Sequence, residues 1–352
     1  MPVFTYKCPA CGGPLKFDPS KNIFTCEYCD SVYEESYLAS LDDDVFDNVK
    51  EADKSEDYGK ADDGAQMLYS CPSCGAEIVT DDTTAATMCY YCHNPVVLTG
   101  RLAADMKPDA VLPFKLSHDE AKGSFLKWIS KKRYIPKGFA SEKLIDSISG
   151  VYYPYWLADY STKASYNGEG RIITHTSDSK YNITTTKIFS VVREGNIEFR
   201  NVSRAALKKA DRKLSDGVIP YETDDLIEFQ PSYLSGFMAE KRDVDKEDIS
   251  QSVEDEIKGY APSILTEGHI YTTISGNTTM IYSGNTYKYS LLPAWVLTYK
   301  GSDGKIYYYS TNGQTGKTCG ILPVDRAKLA LHSAVIAGIV ALLIGLFMYF
   351  IM

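Results

Sequence analysis

The chain has 352 residues, of which 44% are hydrophobic and 24% charged, with a formal net charge of −9 and a pI of about 5.2. At roughly 150 residues per domain, this length predicts two or three folded units. The ordinary apolar fraction excludes wholesale disorder and a collagen-like chain. The acidic balance argues against a broadly basic surface for nucleic acids.

The C-terminal segment 329–352 contains no Asp, Glu, Lys or Arg. At about 1.5 Å per residue it spans about 36 Å, enough to cross a hydrocarbon core of about 30 Å, whereas a buried core helix of this length is a weak alternative. Arg326 and Lys328 precede it, so the positive-inside rule places residues 1–328 in the cytoplasm. We predict a tail-anchored, single-pass protein of the cell membrane.

Small residues recur at four-residue spacing in this segment, at Ala330, Ala334 and Gly338. Such a face permits close helix–helix approach. The pattern is compatible with a homo- or hetero-oligomer formed through the membrane helix.

Eight of the nine cysteines form two groups with the same spacing, C-x2-C-x14-C-x2-C. The groups are Cys8, Cys11, Cys26, Cys29 and Cys71, Cys74, Cys89, Cys92. The first pairs read CPACG and CPSCG, and the interval between corresponding cysteines is constant. One unit has therefore been duplicated.

Each group predicts a zinc ribbon, in residues 1–33 and 67–104. Two thiolates three positions apart on a tight turn face one ion, and Gly12 and Gly75 relieve the backbone after the second sulfur. Two such turns make a closed site of four thiolates, which is structural because no position stays open for substrate. We predict two zinc ions as the cofactors. One alternative is a pair of disulfides in each group, which a cytosolic location disfavours. The other is an iron–sulfur cluster, which the cysteine spacing fits less well. We expect His93 to be a bystander and Cys319 a thiol without a role.

Residues 34–66 form an acidic linker, since residues 34–63 alone account for the net charge of −9. We expect a solvated, flexible or weakly helical segment. A basic run at residues 200–213 is expected to be a solvated helix; contact with anionic headgroups or with the acidic linker are the alternatives. Its cations are Arg200, Arg204, Lys208, Lys209, Arg212 and Lys213.

Residues 105–322 predict a mixed α+β domain. A capping box from Ser117 to Glu120 opens a helix with an apolar stripe, a short helix follows Ser141, and a further helix covers residues 246–260. Strands are predicted at 151–160, 171–176 and 180–189, with a hairpin across 194–196 and turns at 275–277, 283–285 and 312–313. Because residues 154–160 resemble 293–299, we predict two related helix-plus-antiparallel-sheet halves.

No catalytic constellation is visible, and we predict no catalytic or cofactor-binding residues beyond the metal ligands. Residues 311–318 resemble a phosphate-binding loop but have Thr311 in place of the first glycine and no helix signal after Thr318, so we predict a turn. No nucleophile motif or pair of metal-spaced histidines is present. The chain is therefore expected not to be an enzyme.

The chain resembles bacterial membrane proteins described as TFIIB-type zinc-ribbon-containing, which are often misnamed as primosomal helicase-like. The resemblance rests on the CPxCG turns and on the segments 112–114, 150–156, 291–295 and 312–317. It implies a membrane-associated, non-enzymatic protein, and some relatives resemble partners of phage-shock-protein-A-like and flotillin-like proteins in envelope stress. The acidic insert between the ribbons argues against a fixed ribbon–ribbon geometry.

The leading functional hypothesis is a membrane-anchored cytosolic scaffold that recruits membrane or membrane-associated proteins. The alternative is a nucleic-acid-binding or transcription-related zinc-ribbon protein. Residues 1–33 disfavour it because their charges balance: Lys7, Lys16 and Lys21 stand against Asp18, Glu27 and Asp30. An enzyme with a site in the α+β domain is a third class that the sequence leaves open.

Overall fold

The computed structural model describes residues 6–18, 21, 23–40, 67–71, 74–89, 94–98, 102, 106–210, 212–301 and 303–351. The first cysteine group lies among β1 (Leu15–Asp18), β2 (Ile23–Cys26), β3 (Val32–Glu34) and α1 (Glu35–Ser40). The second lies among β4 (Met67–Ser70), β5 (Glu77–Thr80), β6 (Thr84–Met88) and β7 (Pro95–Val97). α1 therefore begins inside the segment predicted to be acidic linker, of which residues 41–66 lie outside the described residues.

The rest of the chain is a mixed α+β domain followed by an apolar helix. Its first half contains β8 (Ala110–Val111), α2 (His118–Ser130), α3 (Glu142–Asp146), β9 (Ser149–Ser177) and β10 (Asn182–Ala205). Then come α4 (Arg212–Val218), β11 (Ile227–Glu228), β12 (Met238–Glu240), α5 (Lys246–Leu265), β13 (Thr273–Lys300), β14 (Ile306–Asn312), β15 (Thr318–Gly320) and α6 (Arg326–Ile351). The predicted fold class is confirmed at this level.

Three long antiparallel strands dominate the ten-stranded sheet. β9 has 29 residues, β10 has 24 and β13 has 28, and β9 lies between the other two. The predicted hairpin at 194–196 is wrong, because Gly195 pairs with Ala164 inside a continuous β10. Val191 and Ile197 are buried on the same side of β10, so an unbroken two-residue alternation overrides the local turn signal.

The predicted turns at 275–277 and 283–285 are also wrong, since both segments lie inside β13. Gly276 faces Gly168 of β9, where a Cβ on Gly168 would lie 2.3 Å from the Ser275 carbonyl oxygen. Gly284 adjoins a shift in the β9–β13 register. Gly168 and Gly276 allow the two strand backbones to approach closely, and Gly284 accompanies an irregularity in the strand. None of these glycines reverses the chain.

The predicted helices are confirmed. The Ser117 side chain accepts a hydrogen bond from the Glu120 backbone N–H, and Glu120 accepts one from the Ser117 N–H, which completes the capping box of α2. Buried side chains follow one stripe on each helix: Ala121, Phe125 and Ile129 on α2, and Ile249, Val253, Ile257 and Ala261 on α5. The α5 helix extends past the predicted end to Leu265.

Two tryptophans occupy matching positions in the core. The Trp156 indole N–H donates to the Val244 carbonyl at 2.9 Å, and the Trp295 indole N–H donates to the Leu116 carbonyl at 3.1 Å. Each carbonyl belongs to the residue before a helix N-cap, that of α5 and that of α2 respectively. Each tryptophan therefore ties a long strand to the start of a helix.

The strand pairing follows the same correspondence. β12 runs parallel to β9 at residues 151–152, and β8 runs parallel to β13 at residues 290–291. The Ala206 N–H donates to the Pro154 carbonyl at 2.8 Å, as the Gly313 N–H does to the Pro293 carbonyl at 2.8 Å. β9 and β13 thus have matching neighbours on their outer edges.

Phe114 lies where the segments that carry the family resemblance converge. Its ring centroid lies 4.4 Å from that of Phe237 and 4.9 Å from that of Trp295. A Cβ on Gly313 would lie 2.6 Å from the Phe114 ring, and one on Gly150 would lie 2.6 Å from the Phe237 ring. A side chain at either position would collide with an aromatic ring, so the cluster requires glycine at both. The residues of these segments therefore pack together in the core.

Both cysteine-containing units pack on the α+β domain. Ala86 of β6 pairs with Ala239 of β12, so β6 and β7 extend the large sheet. In the first unit, the Ser235 hydroxyl donates to the Leu15 carbonyl at 2.9 Å, and the Phe17 ring packs edge-on against Tyr233 with centroids 4.9 Å apart. Each cysteine-containing unit therefore contacts the same α+β domain.

The basic run departs from the expected solvated helix. Arg200 and Arg204 lie in β10, and helix α4 begins only at Arg212. Several of the cations form ion pairs within the chain: Arg200 with Glu198, Arg204 with Glu256, and Lys209 with Asp81 and Glu240.

The loop that resembles a phosphate-binding motif is a turn, as predicted, between β14 and β15. The buried Asn312 side-chain amide donates to the carbonyls of Val218 and Pro220, at 2.9 and 3.1 Å. The Gln314 amide donates to the Glu222 carbonyl at 3.0 Å. The turn therefore anchors the segment after α4.

The close approach of β9 and β13 predicts a sharp difference between two glycine substitutions. Gly168→Ala should lower the free energy of unfolding by about 1–3 kcal/mol, because its methyl group meets backbone atoms that cannot rotate away. Gly284→Ala is the control, since a Cβ there meets no atom within 4 Å. Urea unfolding of the purified chain in detergent measures the free energy of unfolding of both variants. Equal values for the two variants would contradict the close approach of β9 and β13.

Candidate metal centres

The four cysteines of the first group converge as predicted. The Sγ atoms of Cys8 and Cys29 lie 3.6 Å apart, those of Cys11 and Cys26 lie 3.5 Å apart, and all four lie within 4.8 Å of one another. A tetrahedral ion with Zn–S bonds of about 2.3 Å requires sulfur–sulfur separations of about 3.8 Å. The cysteines are free thiols, since a disulfide would bring sulfurs to about 2.05 Å.

Tight backbone turns orient these sulfurs. The Gly12 N–H donates to the Cys8 carbonyl at 2.8 Å, and Gly12 has a φ of 72°, while a Cβ at this position would meet no atom within 4 Å. Glycine is therefore needed there for its left-handed conformation rather than for space. Gly75 repeats the turn in the second unit: its N–H donates to the Cys71 carbonyl at 2.8 Å, and its φ is 73°.

The second group is described for three of its four predicted ligands. Cys71, Cys74 and Cys89 form a cluster, with the Sγ atoms of Cys74 and Cys89 3.7 Å apart. Cys92 and its neighbour His93 lie outside the described residues. The Cys89 N–H donates to the Asn94 carbonyl at 2.9 Å, as the Cys26 N–H donates to the Ser31 carbonyl at 2.9 Å, so the described parts of the two units match.

Burial follows the same order in both groups. Cys8 and Cys26 are buried while Cys11 and Cys29 are exposed; in the second group Cys71 and Cys89 are buried while Cys74 is exposed. Each cluster therefore lies at the boundary between apolar core and solvent; the core is the main one for the first group and a small separate one for the second. Cys319 belongs to neither group and packs beside Gly217 of α4.

Hydrogen bonding and sulfur proximity separate the thiol pKa values in the first group. Burial raises the pKa of Cys8, but hydrogen bonds from the Tyr33 hydroxyl and from backbone N–H groups lower it to about 6. The Gly13 N–H lowers the pKa of Cys11, yet the sulfur of Cys26 and its neighbours raise it to about 12. Thiolates this close together repel one another, and a bound cation would relieve that repulsion.

The four sulfur donors determine which ions these clusters can bind and whether a bound ion has a structural or a catalytic role. Four sulfurs suit a soft divalent ion in tetrahedral geometry, and a site with all four positions filled by protein supplies folding energy rather than a place for substrate. The described residues thus give two cysteine-rich groups that could bind metal ions.

A cavity of about 550 Å³ that the sequence did not predict lies between α4 and the sheet. Its walls are mainly apolar and aromatic and include Tyr153, Leu214 and Val296. At its rim, the Lys209 ammonium lies 2.9 Å from Glu240 and 2.6 Å from Asp81, so this single cation is engaged by two carboxylates. Because the cavity forms from residues far apart in the chain, no local motif signals it.

No protein-family model matches the chain, and no solved structure matches it. The chain is 30% identical over 343 residues to the protein described as uncharacterized protein YdjG of Bacillus subtilis strain 168. The match covers 96% of this chain and 95% of that protein. The chain belongs to the YdjG family. Since both proteins match over nearly their whole lengths, the YdjG relationship is not confined to a single unit.

Metal analysis tests the two clusters directly. The purified chain should contain two zinc ions, and Cys26→Ser should lose one because it removes a buried ligand of the first group. Cys92→Ser should lose the other ion. Cys319→Ser is the control and should keep both; one ion or none in fully loaded wild-type protein would contradict paired sites.

Proposed function

We propose that this YdjG-family protein is a membrane-anchored scaffold that holds two zinc ribbons and an α+β domain at the cytoplasmic face and recruits protein partners there. The observation that carries the proposal is α6. Its segment Arg326–Tyr349 has 24 residues, and the most apolar 18-residue window within it has a mean hydropathy of 2.4 and no part buried against the domain. A helix of this length and composition satisfies the requirement for crossing a bilayer.

The proposed ion in each cluster is zinc. The sulfur separations of 3.5 to 3.7 Å fit its tetrahedral geometry, and the C-x2-C spacing is typical of its ribbons. Each unit is too small to be stable through its own apolar core. Zinc would supply folding energy on the order of 10 kcal/mol to each.

The two halves of the α+β domain are proposed to be a duplicated unit. Trp156 and Trp295 make equivalent hydrogen bonds, the N-caps of α2 and α5 lie at equivalent positions, and β8 and β12 have equivalent parallel pairings. Tyr153 and Leu292, which correspond in the two halves, face each other directly. This arrangement supports a local two-fold axis between β9 and β13.

The long strands offer a surface for protein partners. Ile188, Val192 and Ile281 are 60%, 58% and 69% exposed, and their register places them on the sheet face opposite Ala164, which packs near α5. At this end of the face the apolar side chains are exposed, whereas α4 packs on the same face near Tyr155. Exposed apolar side chains of this kind favour protein binding. The resemblance to membrane partners of envelope-stress proteins fits a recruiting role.

Charged substitutions in α6 test the anchor. Ile339→Asp with Leu343→Asp should release the protein from membranes, because each aspartate near the bilayer centre costs about 2.5–3.5 kcal/mol. The measurement is the membrane-bound fraction after alkaline carbonate extraction. Ile339→Leu with Leu343→Ile is the control and should stay bound.

Orientation is tested on the same membranes. Protease added to inverted vesicles should digest residues 1–328, because the basic residues before α6 favour the cytoplasmic side. Digestion by external protease on intact cells, with protection in inverted vesicles, would refute the cytoplasmic placement.

Partner recruitment is tested by cross-linking in native membranes followed by affinity capture. Ile188→Lys with Val192→Lys should reduce the yield of specific cross-linked proteins about tenfold, because it places charge on the exposed apolar face. Thr174→Lys with Thr176→Lys adds the same charge on the opposite face of β9 and should leave the yield unchanged. Equal yields from both variants would contradict a role for this face.

A further inference from the structure

We propose that five basic residues around the start of α6 form a surface that binds anionic phospholipid headgroups. We call this set the basic collar: Lys131, Lys132, Arg133, Arg326 and Lys328. The proposal rests on the membrane anchor proposed above and adds to it a contact between the α+β domain itself and the bilayer. The first three residues directly follow α2, far from α6 in sequence.

Three hydrogen bonds fix the segment after α2 beside α6. The Asp325 N–H donates to the Tyr134 carbonyl at 2.7 Å, and the Lys328 ammonium donates to the Ile135 carbonyl at 2.7 Å. The Tyr134 hydroxyl lies 2.6 Å from His332 Nδ1. Both the backbone and the side chain of Tyr134 thus hold the preceding cations next to the helix.

The contact between Tyr134 and His332 determines how close the segment after α2 lies to the hydrocarbon core of the membrane. The uncharged stretch of α6 begins after Lys328, and His332 lies one helical turn beyond it, about 6 Å along the axis. Each of the two headgroup layers is about 5–7 Å thick, which is half of the difference between a bilayer of about 40–45 Å and its core of about 30 Å. Tyr134 therefore lies at headgroup level when α6 spans the membrane, a depth that tyrosine favours.

Three of the cations at this level are available to bind anions. Lys131, Lys132 and Arg133 are exposed, and within the described ranges none of them forms an ion pair, whereas Lys328 pairs with Asp325 at 3.7 Å. The adjoining sequence, from Lys131 to Pro136, contains no acidic residue. The basic run at 200–213 differs, because Arg200, Arg204 and Lys209 pair with acidic residues of the same chain.

Anionic lipid is the partner that this placement favours. Attraction between basic residues and a charged bilayer falls off within the Debye length, about 10 Å at 0.1 M salt, so only cations at the interface contribute strongly. The Lys132 ammonium lies 5.3 Å from the centre of the half-buried Trp128 ring, which adds an aromatic side chain suited to the same interface. Binding of headgroups here would fix the orientation of the domain on the membrane.

The test uses the full chain reconstituted into vesicles of phosphatidylcholine alone or mixed with phosphatidylglycerol. Amide hydrogen exchange of residues 131–135 should be about tenfold slower in the phosphatidylglycerol vesicles at low salt, and the difference should vanish at high salt. Equal exchange in both kinds of vesicle, with the protein inserted, would overturn the collar and leave the anchor intact.

Two variants make the test specific. Lys131→Gln, Lys132→Gln and Arg133→Gln together should abolish the lipid-dependent protection of the segment. Lys180→Gln, Lys187→Gln and Arg193→Gln, all exposed on β10 or the turn before it, remove the same charge and should keep the protection. If wild-type protein does not float with either kind of vesicle after carbonate extraction, the proposed membrane anchor is refuted, and the basic collar, which depends on it, is refuted too.

Discussion

The antiparallel pairing of β9 with β13 is the interaction on which the other parts of the molecule depend. It continues from Ser149 to Arg171 and brings Tyr153 opposite Leu292, so the two tryptophan-containing strands are fixed relative to each other. Each tryptophan then holds the start of one helix, and each strand provides an outer edge for a short parallel partner. The helices, the aromatic cluster at Phe114 and the attached cysteine-containing units follow from this pairing.

Features that depend on neighbouring residues could be predicted from the sequence. The capping box at Ser117, the apolar stripes of α2 and α5, and the apolar length of α6 each arise from contacts within a few turns of chain. The cysteine spacing likewise places its sulfurs through local turns at Gly12 and Gly75. The convergence of the first group into one cluster follows from that repeat.

Features set by distant partners could not be predicted in the same way. Gly195 and Gly276 resemble turn residues, yet cross-strand pairing with Ala164 and Gly168 keeps them in extended strands. The docking of Phe17 against Tyr233 and the cavity beneath α4 also join residues that are far apart in sequence. Segments 112–114, 150–156, 291–295 and 312–317 likewise meet at Phe114, where they form part of the core.

The pairing of β6 with β12 has a consequence for how the sheet ends. β6 and β7 are the last strands on one side of the ten-stranded sheet, and Cys89 directly follows β6. An uncovered sheet edge presents unpaired backbone groups to other chains. A metal ion bound by Cys89 would therefore hold the end of β6 in place close to the edge of the large sheet.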